Sequence, residues 1–210
     1  MLLALDIYHM IAEYATSLSL LDWIPQDKLN WRYLSLNPAA IYLIEANPNN
    51  IYWNHLSANP AAMHMLEANP DKIDWGYLSM NPAAMHMLEA NPDKIDWGCL
   101  STNPAAIHLL EANTGKIYWP WLSINLAAMH MLEANPDKIN WEYLSMNPAA
   151  IHLLEANLNK IDWHWLSANP AAIYLFKINM DKISWFWLSM NPAIFKIDQN
   201  KIAALAHQLQ

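Results

Sequence analysis

The residues best suited to chemistry form a column of histidines spaced 22 positions apart. The column consists of His64, His86, His108, His130 and His152. A glutamate follows each histidine three positions later, a spacing that places both side chains on one face of a helix and that also holds metals in helical bundles. One such pair supplies only two ligands, and zinc–nitrogen bonds of about 2.0–2.1 Å cannot reach across helices packed about 8–10 Å apart. We therefore predict a solvated polar stripe, with each histidine paired to the glutamate that follows it, and no bound metal or other cofactor.

No other combination of residues predicts catalysis. Each histidine of the column and nearly every serine of the central region recurs at the same position of a repeated segment, whereas a catalytic site needs a unique, asymmetric pocket. The acidic residues lack the spacing of a calcium-binding loop. The sequence therefore predicts a protein that is not an enzyme, with neither catalytic nor metal-binding residues.

The elements that carry these side chains are copies of one 22-residue segment. Two successive copies, 60–81 and 82–103, differ only at Tyr77/Cys99 and Met80/Thr102. Eight copies carry a tryptophan, with a leucine three positions later and an asparagine three positions after that. The tryptophans are Trp31, Trp53, Trp75, Trp97, Trp119, Trp141, Trp163 and Trp185. A segment this short cannot bury its apolar face alone, but stacked copies can, so the period predicts a solenoid.

Each copy has the start and stop signals of two short helices. An Asn-Pro pair begins the first helix, because asparagine caps exposed amides and proline suits the first helical position. A second asparagine, usually followed by proline, ends it. The second helix contains the tryptophan and follows a capping residue in six copies. These residues are Asn30, Asp74, Asp96, Asn140, Asp162 and Ser184. The tryptophan and leucine columns are predicted to form the core.

The predicted fold is therefore an all-α solenoid of eight two-helix repeats, in which one element can be a 3₁₀-helix. Residues 28–192 form the repeats, flanked by an N-terminal capping helix over 1–27 and a C-terminal capping helix over 193–210. A strand–helix solenoid of the leucine-rich-repeat kind is the alternative, because 22 residues lies within its range of about 20–29. Helical spacing favours the all-α solution, since tryptophan and leucine are three positions apart rather than two.

Composition excludes several classes of partner. The net charge of −8 leaves no basic face for nucleic acid, and no apolar run approaches the ~18 residues of a membrane span. The single cysteine, Cys99, precludes a disulfide within the chain and suits a reducing compartment. We therefore expect a cytoplasmic protein that binds neither nucleic acid nor membrane.

Positions at which the copies disagree are the candidates for specificity. The two residues after each tryptophan vary, and the second is often aromatic, a residue type enriched in protein interfaces. These variable positions become most hydrophobic towards the C-terminus. The candidate partner-binding residues are Tyr143, His164, Trp165, Phe186 and Trp187. Packing between repeats is the alternative explanation for this column.

The Asn-Pro, Ile-Asp-Trp and Leu-Ser elements resemble the short tandem repeats of proteins from giant DNA viruses of amoebae and related large algal viruses. The resemblance covers about four-fifths of the chain and implies a viral protein located in the host cytoplasm or the virion. The segment "LALDIYHMIAEY" is similar to the opening helix of an F-box. We expect a non-enzymatic scaffold that binds another protein; the alternatives are a structural component of a virion or large assembly and a substrate adaptor of a ubiquitin ligase.

Overall fold

The computed structural model describes residues 20–195, and all the regular secondary structure in that range is helical. Successive helices repeat every 22 residues, so the predicted all-α solenoid is confirmed. The strand–helix alternative is wrong, because no residue between 20 and 195 is in a strand. Nearly all of the two predicted capping helices, and the F-box-like segment, lie outside the described residues; the described parts of the two end regions hold 3₁₀ turns at Gln26–Lys28 and Pro192–Ile194.

The chain divides into two compact units, Met1–Leu122 and Ser123–Gln210. Each repeat contains a short α-helix that begins at tryptophan, here called the Trp helix. Six described repeats also contain a second α-helix with the glutamate, here called the Glu helix, and a 3₁₀-helix takes its place at Pro170–Lys177. In the first unit the Trp helices are Trp31–Leu36, Trp53–Ser57, Trp75–Ser79, Trp97–Ser101 and Trp119–Leu122, and the Glu helices are Ile41–Glu45, Met63–Ala68, Met85–Ala90 and Ile107–Ala112. In the second unit the Trp helices are Trp141–Met146, Trp163–Leu166 and Trp185–Leu188, and the Glu helices are Met129–Ala134 and Ile151–Ala156.

Two 3₁₀ segments join these helices in most repeats, so the 3₁₀ content exceeds the single element predicted. The first lies before the Glu helix, at Pro38–Ala40, Pro60–Ala62, Pro82–Ala84, Pro104–Ala106 and Pro148–Ala150, with a longer one at Pro170–Lys177. The second lies after it, at Pro48–Asn50, Pro70–Lys72, Pro92–Lys94, Thr114–Lys116, Pro136–Lys138, Leu158–Lys160 and Met180–Lys182.

The Asn-Pro pair starts each turn as predicted. Asn81 is extended, with φ −80° and ψ 114°, and its Oδ1 accepts a hydrogen bond of 3.0 Å from the amide of Ala83. Pro82 occupies the first helical position, where a missing amide costs nothing. The segment "NPAA" is thus a capped 3₁₀ turn that leads directly into the α-helix.

Asparagine, rather than glycine, ends the Glu helix. Asn91 adopts φ −134° and ψ 61°, and its Nδ2 donates to the carbonyl of Met87 at 2.9 Å, one of the orphan carbonyls at the helix end. No residue between 20 and 195 has a positive φ. This explains how the chain makes so many turns with three glycines.

Carboxylate or amide side chains cap five of the described Trp helices. Asp96 Oδ1 accepts from the amide of Cys99 at 2.8 Å, and Asn30, Asp74, Asn140 and Asp162 cap in the same way. The prediction for Ser184 is wrong, because its side chain makes no capping hydrogen bond.

One repeat lacks the first proline and with it the first 3₁₀ turn. Leu126 replaces proline after Asn125, and residues 126–128 are not a 3₁₀-helix, although Asn125 Oδ1 still accepts from the amide of Ala127 at 3.0 Å.

We expect Leu126→Pro to stabilise the protein by about 0.4–1 kcal/mol, because proline restricts the unfolded chain at a position that accepts it in the other copies. Urea denaturation checks this; Leu158→Ala, at a surface leucine of the same unit, is a control expected to change little. Destabilisation by Leu126→Pro would show that this backbone has diverged from the other copies.

The core consists of small and branched residues rather than tryptophan. One leucine of each Trp helix and one of each Glu helix is fully buried in most repeats, beside alanines such as Ala84 and Ala106. The tryptophans are only half-buried, and Trp185 is exposed, so their predicted place in the core is wrong. Over five of the half-buried tryptophans lies a lysine of the next repeat, whose Nζ is 4.3–4.6 Å from the indole centre, as for Lys94 over Trp75. A cation–π contact of this kind keeps the ring at the surface, under a charged group that remains in water.

Buried serine and asparagine side chains join successive repeats. Ser79 Oγ donates to the carbonyl of Trp75 at 2.7 Å and accepts from the amide of Asp96 in the next repeat at 3.1 Å. Asn103 Nδ2 donates to the carbonyls of Ser79 and Asn81 in the preceding repeat, at 3.0 and 3.1 Å. Each side chain therefore hydrogen-bonds within its own repeat and across to a neighbour, which satisfies polar groups that burial would otherwise make costly.

Candidate interaction surface

The variable residues that follow each tryptophan contact each other between repeats. The first variable residue of one repeat contacts the second variable residue of the next, 23 positions later. Arg32 Nε donates to His55 Nε2 at 2.8 Å, and Trp165 Nε1 donates to Glu142 Oε1 at 2.9 Å. Variation in the column is therefore coupled between neighbours, a feature that the sequence analysis did not identify.

A glycine of the first variable column lies beside a tryptophan of the next repeat, at ordinary van der Waals distance. A Cβ added to Gly98 would lie 3.5 Å from the indole of Trp121, again 23 positions later. The second variable residues of adjacent repeats, 22 positions apart, can also meet: the His55 ring lies 5.3 Å from that of Tyr77. Burial, followed by the nearby Arg32 guanidinium, lowers the pKa of His55, so the neutral ring is favoured as the acceptor for Arg32.

Four of the five predicted site residues come together in the second unit. The rings of Trp165 and Trp187 are 4.5 Å apart, and His164 meets both edge-on, at 5.9 and 5.7 Å. Phe186, which is 72% exposed, meets Trp187 edge-on at 5.3 Å. We call His164, Trp165, Phe186 and Trp187 the aromatic ridge. Among the described residues, Tyr143 makes no ring contact with it; its amide is capped by Asn140 at 2.9 Å.

Hydrogen bonds hold both indoles of the aromatic ridge. Trp165 Nε1 donates to the Glu142 carboxylate, and Trp187 Nε1 donates to His164 Nε2. This second bond requires an unprotonated Nε2 on His164. Because both indole N–H groups are satisfied within the chain, the ridge presents ring faces and edges.

The histidine column pairs between repeats, not within one helix. Histidine Nε2 and the glutamate Oε1 of the preceding repeat are 2.5–2.8 Å apart in His64–Glu45, His86–Glu67, His108–Glu89 and His152–Glu133. The predicted pairing with the glutamate three positions later is therefore wrong at these histidines. Both partners are about half exposed, so each pair is a weak surface contact. In the next copy Tyr174 donates to Glu155 at 2.5 Å, and this bond raises the pKa of Tyr174 to about 12.

The surroundings of the Cys99 thiol make it unreactive. Burial, together with the carboxylate of Asp96, raises the pKa of the Cys99 thiol to about 11, which suppresses the thiolate at neutral pH. Within residues 20–195, no three histidine, cysteine, aspartate or glutamate side chains converge as a metal site would require. In the same range, no helix combines the length and hydrophobicity needed to cross a bilayer.

Comparison of the chain with protein-family models, with curated proteins and with solved structures gave no match.

Proposed function

We propose that the chain is a non-enzymatic repeat scaffold that binds a protein partner through the aromatic ridge. The observation that supports this most directly is the close pair of Trp165 and Trp187, whose ring centres are 4.5 Å apart and whose planes are tilted by 42°, with Phe186 exposed beside them. Tryptophan is enriched among residues that dominate binding energy, because it buries a large area and loses little side-chain entropy. A partner that presents apolar side chains would fit a surface whose N–H groups are already satisfied.

The constant positions of the repeat stabilise the fold, and the variable positions are available for recognition. The asparagine, serine and leucine columns repeat almost unchanged, while the ridge occupies the two columns after the tryptophan, which differ between copies. Binding through such positions lets one framework carry different surfaces. The resemblance to viral tandem repeats makes a host or viral protein the expected partner.

Replacing Trp165 and Trp187 by alanine together tests the proposal. We expect the double variant to lose at least about tenfold in affinity, since removal of one hot-spot residue typically costs about 2 kcal/mol or more. Cross-linked capture from amoebal or algal lysate with wild-type protein would identify the partner. Titration of the purified partner against both forms would then give the dissociation constants.

Tyr33→Ala is the matched control, because Tyr33 occupies the same column in the first unit and is 68% exposed. It should leave the dissociation constant unchanged. Circular dichroism must show that the double variant keeps its helices. If the folded double variant binds the same partner as tightly as wild type, the aromatic ridge is not the binding surface.

A further inference from the structure

Successive repeats within a unit are joined by one fixed set of contacts. Between the last two Trp helices, Lys182 Nζ lies 4.5 Å from the Trp163 ring centre, and the amide of Ser184 donates to Ser167 Oγ at 2.9 Å. Asn191 Nδ2 donates to the carbonyls of Ser167 and Asn169, at 3.0 and 2.9 Å. The later repeat thus supplies a cation and donors, and the earlier repeat supplies a ring and acceptors.

In the last described repeat, no described residue covers the ring or the acceptors. Trp185 is 62% exposed, and no described lysine lies over it, although tryptophans of earlier repeats carry one. Ser189 Oγ donates to Trp185 but accepts no amide among the described residues. No described asparagine Nδ2 reaches the carbonyls of Ser189 and Asn191. Met190 beside them is 64% exposed.

The first described repeat presents the matching cation and donors. Lys28, Asn30 and Asn37 each lie 154 positions, or seven repeats, before Lys182, Ser184 and Asn191. Asn37 is exposed, whereas its counterparts from Asn59 to Asn191 are at most 2% exposed. Asn37 Oδ1 caps the amide of Ala39, but its Nδ2 has no partner among the described residues. The Lys28 side chain is also exposed.

We propose that a second copy of this chain binds head to tail, with the first repeat of one copy on the last repeat of the other. Lys28 of one copy would lie over Trp185 of the other, and the Asn30 amide would donate to Ser189 Oγ. Asn37 Nδ2 would donate to the Ser189 and Asn191 carbonyls. Every one of these contacts already exists between internal repeats, so the new interface continues an established one.

This association uses two different surfaces on each copy, which makes it heterologous and able to add further copies. It would make the protein part of a larger assembly, and it does not rest on partner binding by the aromatic ridge.

The test measures molecular mass against concentration by analytical ultracentrifugation of the full chain. Wild type should show a mean mass that rises above one chain between about 1 and 100 μM, the range of a weak to moderate interface. Asn37→Asp keeps the cap on Ala39 but places a carboxylate against two carbonyls. Trp185→Lys places a second cation against Lys28. Each variant alone should associate at least tenfold more weakly than wild type.

Mixing the two variants gives the decisive result. Asn37→Asp retains an intact last repeat and Trp185→Lys an intact first repeat, so the mixture can form one good interface and should stop at a one-to-one dimer. Asn54→Asp is the control, because it adds the same charge at an exposed position away from both ends and should associate like wild type. A wild-type mass of one chain at every concentration would overturn the proposal. So would unweakened association of either variant, or a mixture that stays monomeric.

Discussion

Replacing Asn81 by aspartate should lower the free energy of unfolding of the first unit by about 3–5 kcal/mol. Asn81 is fully buried, and its Nδ2 donates to the carbonyls of Ser57 and Asn59 at 3.0 and 3.1 Å. Aspartate has nearly the same shape, and it can still accept from the amide of Ala83. Its second oxygen, however, faces two carbonyl oxygens out of contact with water, so the residue must carry an unpaired buried charge or take up a proton.

The same substitution at Asn37 is the matched control. That side chain caps its helix in the same way, but it is exposed and its Nδ2 has no partner among the described residues, so we expect a change within about 0.5 kcal/mol. Urea denaturation followed by circular dichroism, at a concentration low enough to keep the chain monomeric, measures both. Equal effects at the two positions would mean that the buried donor contributes nothing and that the cap alone matters.

Leu88→Ala should destabilise the first unit by about 2–5 kcal/mol. Leu88 lies in a Glu helix and is fully buried, as are its counterparts Leu66 and Leu110 in the adjacent repeats. Truncation removes apolar contacts and leaves a cavity among the buried leucines and alanines of adjacent repeats, such as Leu78 and Ala84.

Leu36→Ala serves as the comparison, since Leu36 is a helical leucine of the same unit with 42% of its surface exposed. It should cost less than about 1 kcal/mol. Unfolding midpoints in urea, with the slope checked for each variant, give both values. A loss at Leu88 no larger than at Leu36 would show that the repeat collapses around the missing side chain.

Much of the local structure could be predicted because its causes are local. An Asn-Pro pair caps and starts a turn whatever lies beside it, and an aspartate before a tryptophan caps the next helix within three residues. The 22-residue period then implies stacking, since no single copy can cover its own apolar face. These features follow from backbone chemistry that a few neighbouring residues determine.

Contacts between repeats could not be assigned in the same way. In a 22-residue repeat, a histidine with a glutamate three positions ahead also has one 19 positions behind, and the sequence pattern is identical for both. Only the packing of adjacent helices selects Glu67 rather than Glu89 as the partner of His86. The lysines that lie over several tryptophans could not be assigned for the same reason, although the Lys94 and Trp75 columns share the 22-residue period.

The contacts that join repeats have a consequence for how such a gene can change length. The serine, asparagine, lysine and tryptophan of a junction are nearly the same in every copy, so unequal recombination that removes or adds one 22-residue copy restores the junction it breaks. Natural selection for a stable fold would then hardly distinguish between chains with different numbers of repeats. The ridge residues differ in this respect, because the residues that they contact in adjacent repeats vary between copies, as Glu142 does for Trp165 and His164 for Trp187. A crossover in these columns gives Trp165 or Trp187 a new neighbour, and recognition would change while the framework does not.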